Sequence, residues 1–121
     1  MADVPYRHLL TNQIDDITVV YFRDQRIIEE LRILELGREL LRLVDAEGRR
    51  KLALNFANVS FLSSAAIGKL LGLAKRLKAL GGQLKLCAIR PEIFEVFAIA
   101  KLDRQFAIYP EEADALAAFD D

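Results

Sequence analysis

The chain predicts an α/β fold built on a mixed, mainly parallel sheet of four to five strands with about four helices. Three observations carry that expectation. Apolar residues recur with period two in some segments and at helical spacing in others, and the two kinds of segment alternate along the chain. The 121 residues are 53% hydrophobic, enough for one core and too apolar for a disordered chain. No internal repeat, low-complexity tract or linker interrupts the pattern, so residues 1–121 are expected to form a single domain.

Asp16 to Arg23 is rich in β-branched and aromatic residues and predicts a strand. A weaker strand, Tyr6 to Ile14, precedes it, and Asp15-Asp16 makes a hairpin turn between them. Residues 28–44 predict a helix, with Ile33, Leu36, Leu40 and Val44 on one stripe, and with Glu35–Arg38 and Glu39–Arg42 as attractive pairs. Ala46-Glu47-Gly48 stops it.

From Lys51 to Phe56, Leu52, Leu54 and Phe56 share one face and Ala53 and Asn55 the other. A second face that is small rather than charged predicts a central strand covered on both sides. Ala65 to Leu80 predicts the next helix, on Ile67, Leu70, Leu71, Ala74 and Leu77, and Gly81-Gly82 ends it. Gly68 and Gly72, four apart, read as points of close packing against the sheet. Leu84 to Ile89 is a further strand. Pro91-Glu92 opens a helix carrying Ile93, Phe94, Phe97 and Leu102. Phe106 to Tyr109 is a short last strand, and Pro110-Glu111-Glu112 starts a terminal helix ending near Phe119. The order is β-β-α-β-α-β-α-β-α.

Composition excludes several function classes. With 17 Lys plus Arg against 18 Asp plus Glu, the net charge is −1, unlike a protein that neutralises nucleic-acid phosphates. One cysteine rules out a disulfide framework and any multi-thiolate zinc site. Met1 to Pro5 lacks the pattern of a secretory signal. The longest uncharged stretch, Leu52 to Gly68, is too polar and too short to span a membrane. A cytoplasmic protein is expected, without cofactor or metal and without contact to nucleic acid or membrane.

His8 has no sequence partner and reads as structural. Cys87, inside an apolar strand, reads as a small hydrophobe. The carboxylates, spread along helical faces, read as solvated charge. One segment stands apart. The chain's three serines, Ser60, Ser63 and Ser64, fall within five positions at a strand-to-helix junction. Either Ser63 or Ser64 could cap the helix that follows. The same junction places a hydroxyl at the C-terminal edge of the sheet, where open α/β folds meet ligands. A phosphate there would gain ~0.3–1 kcal/mol from the helix dipole while adding about −1.5 to −2 charges to the surface. A serine nucleophile would need a neighbouring base, and neither that nor a Gly-x-Ser-x-Gly elbow is present. No enzyme activity is expected.

The run Asn58-Val59-Ser60-Phe61-Leu62-Ser63-Ser64-Ala65-Ala66-Ile67-Gly68 resembles the signature loop and helix of the STAS domain, in particular of bacterial anti-sigma factor antagonists. The family pattern runs approximately Asp-Leu/Val-Ser-Phe/Tyr-Met/Leu-Asp-Ser-Ser/Thr-Gly-Leu-Gly. The likeness continues through Gly81-Gly82-Gln83-Leu84-Lys85-Leu86-Cys87 and through Pro91 to Leu102, and covers roughly residues 13–119. Here Asn58 stands for the first Asp of the pattern, Ser63 for the second and Ala66 for the Gly. The loop after the second strand reads Arg23-Asp24-Gln25-Arg26-Ile27 where the family often has Gly-Glu-x-Asp.

The resemblance implies a STAS-like fold and a partner-switching regulator of transcription. Such a protein binds an anti-sigma factor with serine kinase activity, is released by phosphorylation, and is reset by a serine phosphatase. It implies Ser64 as the phosphorylated residue, with Ser63 as the alternative, and Asp24, Asn58, Ser60, Ser63, Ser64, Ala65 and Gly68 as the partner surface. The other reading is a STAS domain that is never phosphorylated and acts as a structural adaptor in a signalling or transport assembly.

Overall fold

The computed structural model describes residues 6–119; Met1 to Pro5, read above as lacking an export signal, lie outside it. The chain runs β1 (Leu9–Ile14), β2 (Ile17–Phe22), β3 (Arg26–Ile27), α1 (Glu30–Asp45), β4 (Lys51–Asn55), β5 (Phe61–Leu62), α2 (Ser64–Ala79), β6 (Gln83–Cys87), α3 (Pro91–Ile99), β7 (Ala107–Tyr109) and α4 (Glu112–Ala117). Five strands form one sheet in the order β1-β2-β4-β6-β7. β1 is antiparallel to β2 and every other pair is parallel. The expected mixed sheet and four helices are present.

The hairpin closes on Asp15-Asp16, with Ile14 opposite Ile17 and Asp15 at φ 55°. Two-residue loops of this kind need left-handed backbone, which Asp tolerates. β4 is central, and its alternation decides the layering. Leu52 and Leu54 join Val20, Phe22 and Leu86 in the core shared with Leu40 of α1, Ile67 of α2 and Phe97 of α3. The opposite positions, Val19, Ala53 and Cys87, are buried beside Ala115 of α4, which packs on β4, β6 and β7. Phe22, Phe56, Phe97 and Phe106 form a chain of ring contacts through the core, with centroids 4.8, 6.5 and 5.6 Å apart.

α2 and α3 end alike. Gly81 at φ 79° lets the N–H of Gly82 reach the Leu77 carbonyl at 2.7 Å. Lys101 at φ 59° lets the N–H of Leu102 reach the Phe97 carbonyl at 2.8 Å. Both are Schellman closures. Leu102 therefore lies beyond α3 and folds back on the core, not within the helix as its spacing suggested. Gly82 has a stricter reason to be glycine: a Cβ there would sit 2.5 Å from the Arg50 carbonyl oxygen.

Two further expectations are corrected. A Cβ at Gly68 or Gly72 would meet nothing within 4 Å, so these glycines do not pack against the sheet. They face outward beside α1. The pairs Glu35–Arg38 and Glu39–Arg42 do not form either, because Glu35 and Glu39 hold the segment before β1 (below). The small second sheet, β3 parallel to β5, was not anticipated.

Candidate functional site

The serine junction is built by two loops that meet at the C-terminal edge of the main sheet. β3 and β5 join them, pairing Arg26 with Phe61 and Ile27 with Leu62. The Gln25 carbonyl accepts from the N–H groups of Ser60 at 2.7 Å and Phe61 at 3.2 Å, and the Ile27 carbonyl accepts from Ser63 N–H at 3.1 Å. Ser60 thus shapes the loop through its main-chain N–H. Asn58 closes the junction from the other side: its amide donates to the carbonyls of Phe22 (3.0 Å) and Arg23 (3.1 Å). The Arg26 guanidinium lies 4.4 Å from the centre of the Phe61 ring.

Ser63 is the N-cap of α2. Its backbone is extended, and its Oγ accepts from Ala66 N–H at 3.2 Å. Ser64 is the first helical residue and is exposed, as are Ala65 and Gly68. The N–H groups of Ser64 and Ala65 are among the donors that a helix start leaves without an intrahelical partner. Ser63, Ser64 and Ala65 border a depression whose other side is Ile28, Glu30, Ile33 and Leu34, with Lys69 at its edge. Of the expected surface residues, Asn58, Ser60, Ser63, Ser64, Ala65 and Gly68 thus lie on this edge and the helix behind it.

Asp24 has a different setting. It is half-buried, with Oδ2 2.5 Å from His8 Nδ1 and Oδ1 accepting from Arg32 Nη1 at 3.1 Å. His8, only 8% exposed at its side chain, also places Nε2 2.9 Å from Glu35 Oε1. With a carboxylate oxygen at each ring nitrogen, the arrangement favours the doubly protonated imidazolium, which donates to both. Burial pulls its pKa down, but the bonds to Glu35 and Asp24, with the charges of Asp24 and Glu39, outweigh that and raise it. Glu35 is correspondingly held below its ordinary value, chiefly by the bond to His8. Glu39 accepts from the backbone N–H groups of Arg7 and His8 at 2.8 and 2.9 Å. Glu35 and Glu39 are therefore structural, not the solvated charge expected of carboxylates on helical faces. His8 is structural, as expected, and ties the segment before β1 to α1 and to the loop that carries β3.

Cys87 is buried, and its thiol is pushed up to about 11 by burial and by the charge of Glu112, so it is a poor nucleophile at neutral pH. Glu112 itself accepts from Tyr21 and Asn55 at 2.7 and 2.9 Å, tying α4 to the sheet. Among the described residues no group of three or more His, Cys, Asp or Glu is placed to hold a metal ion, and no helix is long and apolar enough to cross a membrane.

Comparison with known proteins agrees with this geometry. The model of the STAS domain family matches residues 8–115. BtrV of Bordetella bronchiseptica, named as an anti-sigma factor antagonist, is 32% identical over 95 residues, covering 78% of this chain and 81% of its own. An anti-sigma-factor antagonist (STAS) domain protein from Planctomyces limnophilus superposes with a TM-score of 0.79 at 25% identity, covering 91% of this chain and 95% of its own. The Bacillus cell fate determinant SpoIIAA, solved in phosphorylated form, shares the fold with a TM-score of 0.67 at 17% identity, covering 90% of this chain and 96% of its own. A chain of this topology, with a capped serine pair at the edge of its sheet, belongs to the STAS domain family and, within it, to the anti-sigma factor antagonists.

Proposed function

We infer that this chain is a phosphorylation-controlled ligand of an anti-sigma factor that is also a serine kinase. The unphosphorylated chain binds that partner through the edge formed by Asn58 to Ala65. Phosphorylation of Ser64 ends the binding, and a serine phosphatase restores it. One observation carries the reading. Ser64 is exposed at the first position of a helix whose cap is already supplied by its neighbour Ser63. Modifying Ser63 would cost the helix its cap, whereas modifying Ser64 leaves the fold's bonds intact. The solved phosphorylated and unphosphorylated forms of SpoIIAA support the comparison.

The energetics suffice. A like-charge juxtaposition across an interface costs several kcal/mol, and ~2.7 kcal/mol is already two decades in affinity. The chain is then a substrate and a ligand without turnover of its own. Asp24, bonded to His8 and Arg32, contributes by holding the neighbouring loop.

Intact-mass measurement tests this, using the anti-sigma factor of the native host with ATP. One added phosphate is expected on the wild type and on Ser63→Ala, and none on Ser64→Ala. Ser64→Asp should lose partner binding while its melting temperature barely moves. Phosphate on Ser64→Ala overturns the site assignment, and no phosphate on any form leaves the adaptor reading.

A further inference from the structure

α1 carries two apolar stripes, and the fold uses only one. Ile33, Leu36, Leu40, Leu43 and Val44 are buried. Leu31, Leu34 and Leu41 form a second stripe that is 65%, 38% and 40% exposed. Their spacing, with Arg38 between Leu34 and Leu41, is that of one helix face. Three exposed leucines on one helix face, with a single cation among them, are the kind of surface that an amphipathic partner covers.

The seam borders a groove whose far wall is α2. Leu34, Gly37 and Leu41 line it from α1, and Gly68, Gly72 and Leu73 from α2. Gly68 and Gly72 interrupt a 16-residue helix where glycine lowers helix stability relative to alanine. No neighbour within this chain requires them, since a Cβ at either would meet empty space. What they leave open is backbone surface for a body outside the chain.

Charge defines that body. Lys69 reaches across the groove, its Cδ 3.3 Å from where a Gly37 Cβ would stand. Lys69 on α2 and Arg38 on α1 have no ion-pair partner among the described residues, whereas Arg76 further along is neutralised by Asp45 at 3.0 Å. Unpaired cations on both walls of an apolar floor suit a helix with leucine-like residues on one face and carboxylates on its flank. A second copy of this chain does not suit it. A two-fold interface sets a patch against itself, bringing Arg38 and Lys69 against their like.

We propose that the groove between α1 and α2 is a docking site for an acidic amphipathic helix of a partner protein. Leu34 and Lys69 also line the depression beside Ser64, so the groove opens onto the serine edge. The proposal extends the contact surface well beyond that edge and does not require Ser64 to be phosphorylated.

The test uses the full chain and a fluorescent synthetic helix of alternating Leu-rich and Glu-rich faces, with a Lys-for-Glu version as control, read by anisotropy. Saturable binding of the acidic helix is expected, at least about tenfold tighter than the Lys version. Gly72→Leu fills the groove and should weaken binding at least about tenfold without lowering the melting temperature. Lys69→Glu should invert the preference. The proposal is overturned by an absence of saturation up to about 1 mM acidic helix, or by unchanged binding to Gly72→Leu. It is equally overturned if sedimentation shows a dimer that Gly72→Leu dissolves, because the occupant is then a second copy.

Discussion

His8→Gln is the most informative single change to the fold. Glutamine keeps much of the side-chain volume but carries no charge and can satisfy one of the two carboxylates. The wild-type ring loses little to solvent, because its side chain is 8% exposed against 19% for Asp24 and 29% for Glu35. A hydrogen bond to a charged group contributes ~1.5–3 kcal/mol, and water takes over part of the work at the more exposed carboxylate. The expected cost is therefore about 2–3 kcal/mol, or roughly 8–12 °C in melting temperature for a domain of this size. The pH dependence separates this from a packing defect. The folded pKa of His8 lies above the ordinary 6.5, so its stabilisation is fully present below 6.5 and is lost as pH rises through the folded value. Glu35 acts in the opposite sense, its contribution being present above 4.5 and lost as pH falls through its lowered folded value. Melting followed by circular dichroism from about pH 5.5 to about 9.5 should show the gap between wild type and His8→Gln widest at the acid end and narrowing upward. A gap that is constant across the range, or absent, refutes the imidazolium bridge.

Two other substitutions test the local architecture. Ser63→Ala removes the cap bond to Ala66 and should cost about 1 kcal/mol, while Ser64→Ala stays within about 0.5 kcal/mol of wild type in urea unfolding; equal costs would mean that the capping assignment is wrong. Gly82→Ala drives a Cβ to 2.5 Å from the Arg50 carbonyl and 2.9 Å from Leu77 Cδ2, and should cost about 2–3 kcal/mol. An unchanged denaturation midpoint would show that the Arg50–Gln83 junction yields freely.

The main elements were legible because each spans enough residues to show a period. α1 and α2 run 16 residues apiece, and alternation in β4 announced a central strand with a thin cover on one side. β3 and β5 were illegible for the same reason: two residues have no period, and Arg26-Ile27 and Phe61-Leu62 pair only because the chain returns one to the other. The His8 bridge was hidden because its carboxylates belong to a loop and a helix that charge patterning treats one at a time. Leu102 kept helical spacing while Lys101 turned the backbone out of the helix. Gly68 and Gly72 were visible, but a helical glycine signals close approach without saying from which side. At the serine junction the sequence limited the cap to Ser63 or Ser64, and only the Ser63–Ala66 bond distinguishes them.

The β3–β5 ladder makes the serine edge a discontinuous epitope. The Ile27 carbonyl holds Ser63, and the Gln25 carbonyl holds Ser60 and Phe61, so the surface of this edge is composed by stretches far apart in the chain. A linear peptide copying the segment from Asn58 to Gly68 would carry every hydroxyl and none of the scaffold. A kinase acting at this edge, as proposed above, would therefore have to read the folded domain, and a change at Ile27 would be felt at Ser63 through the main-chain bond between them.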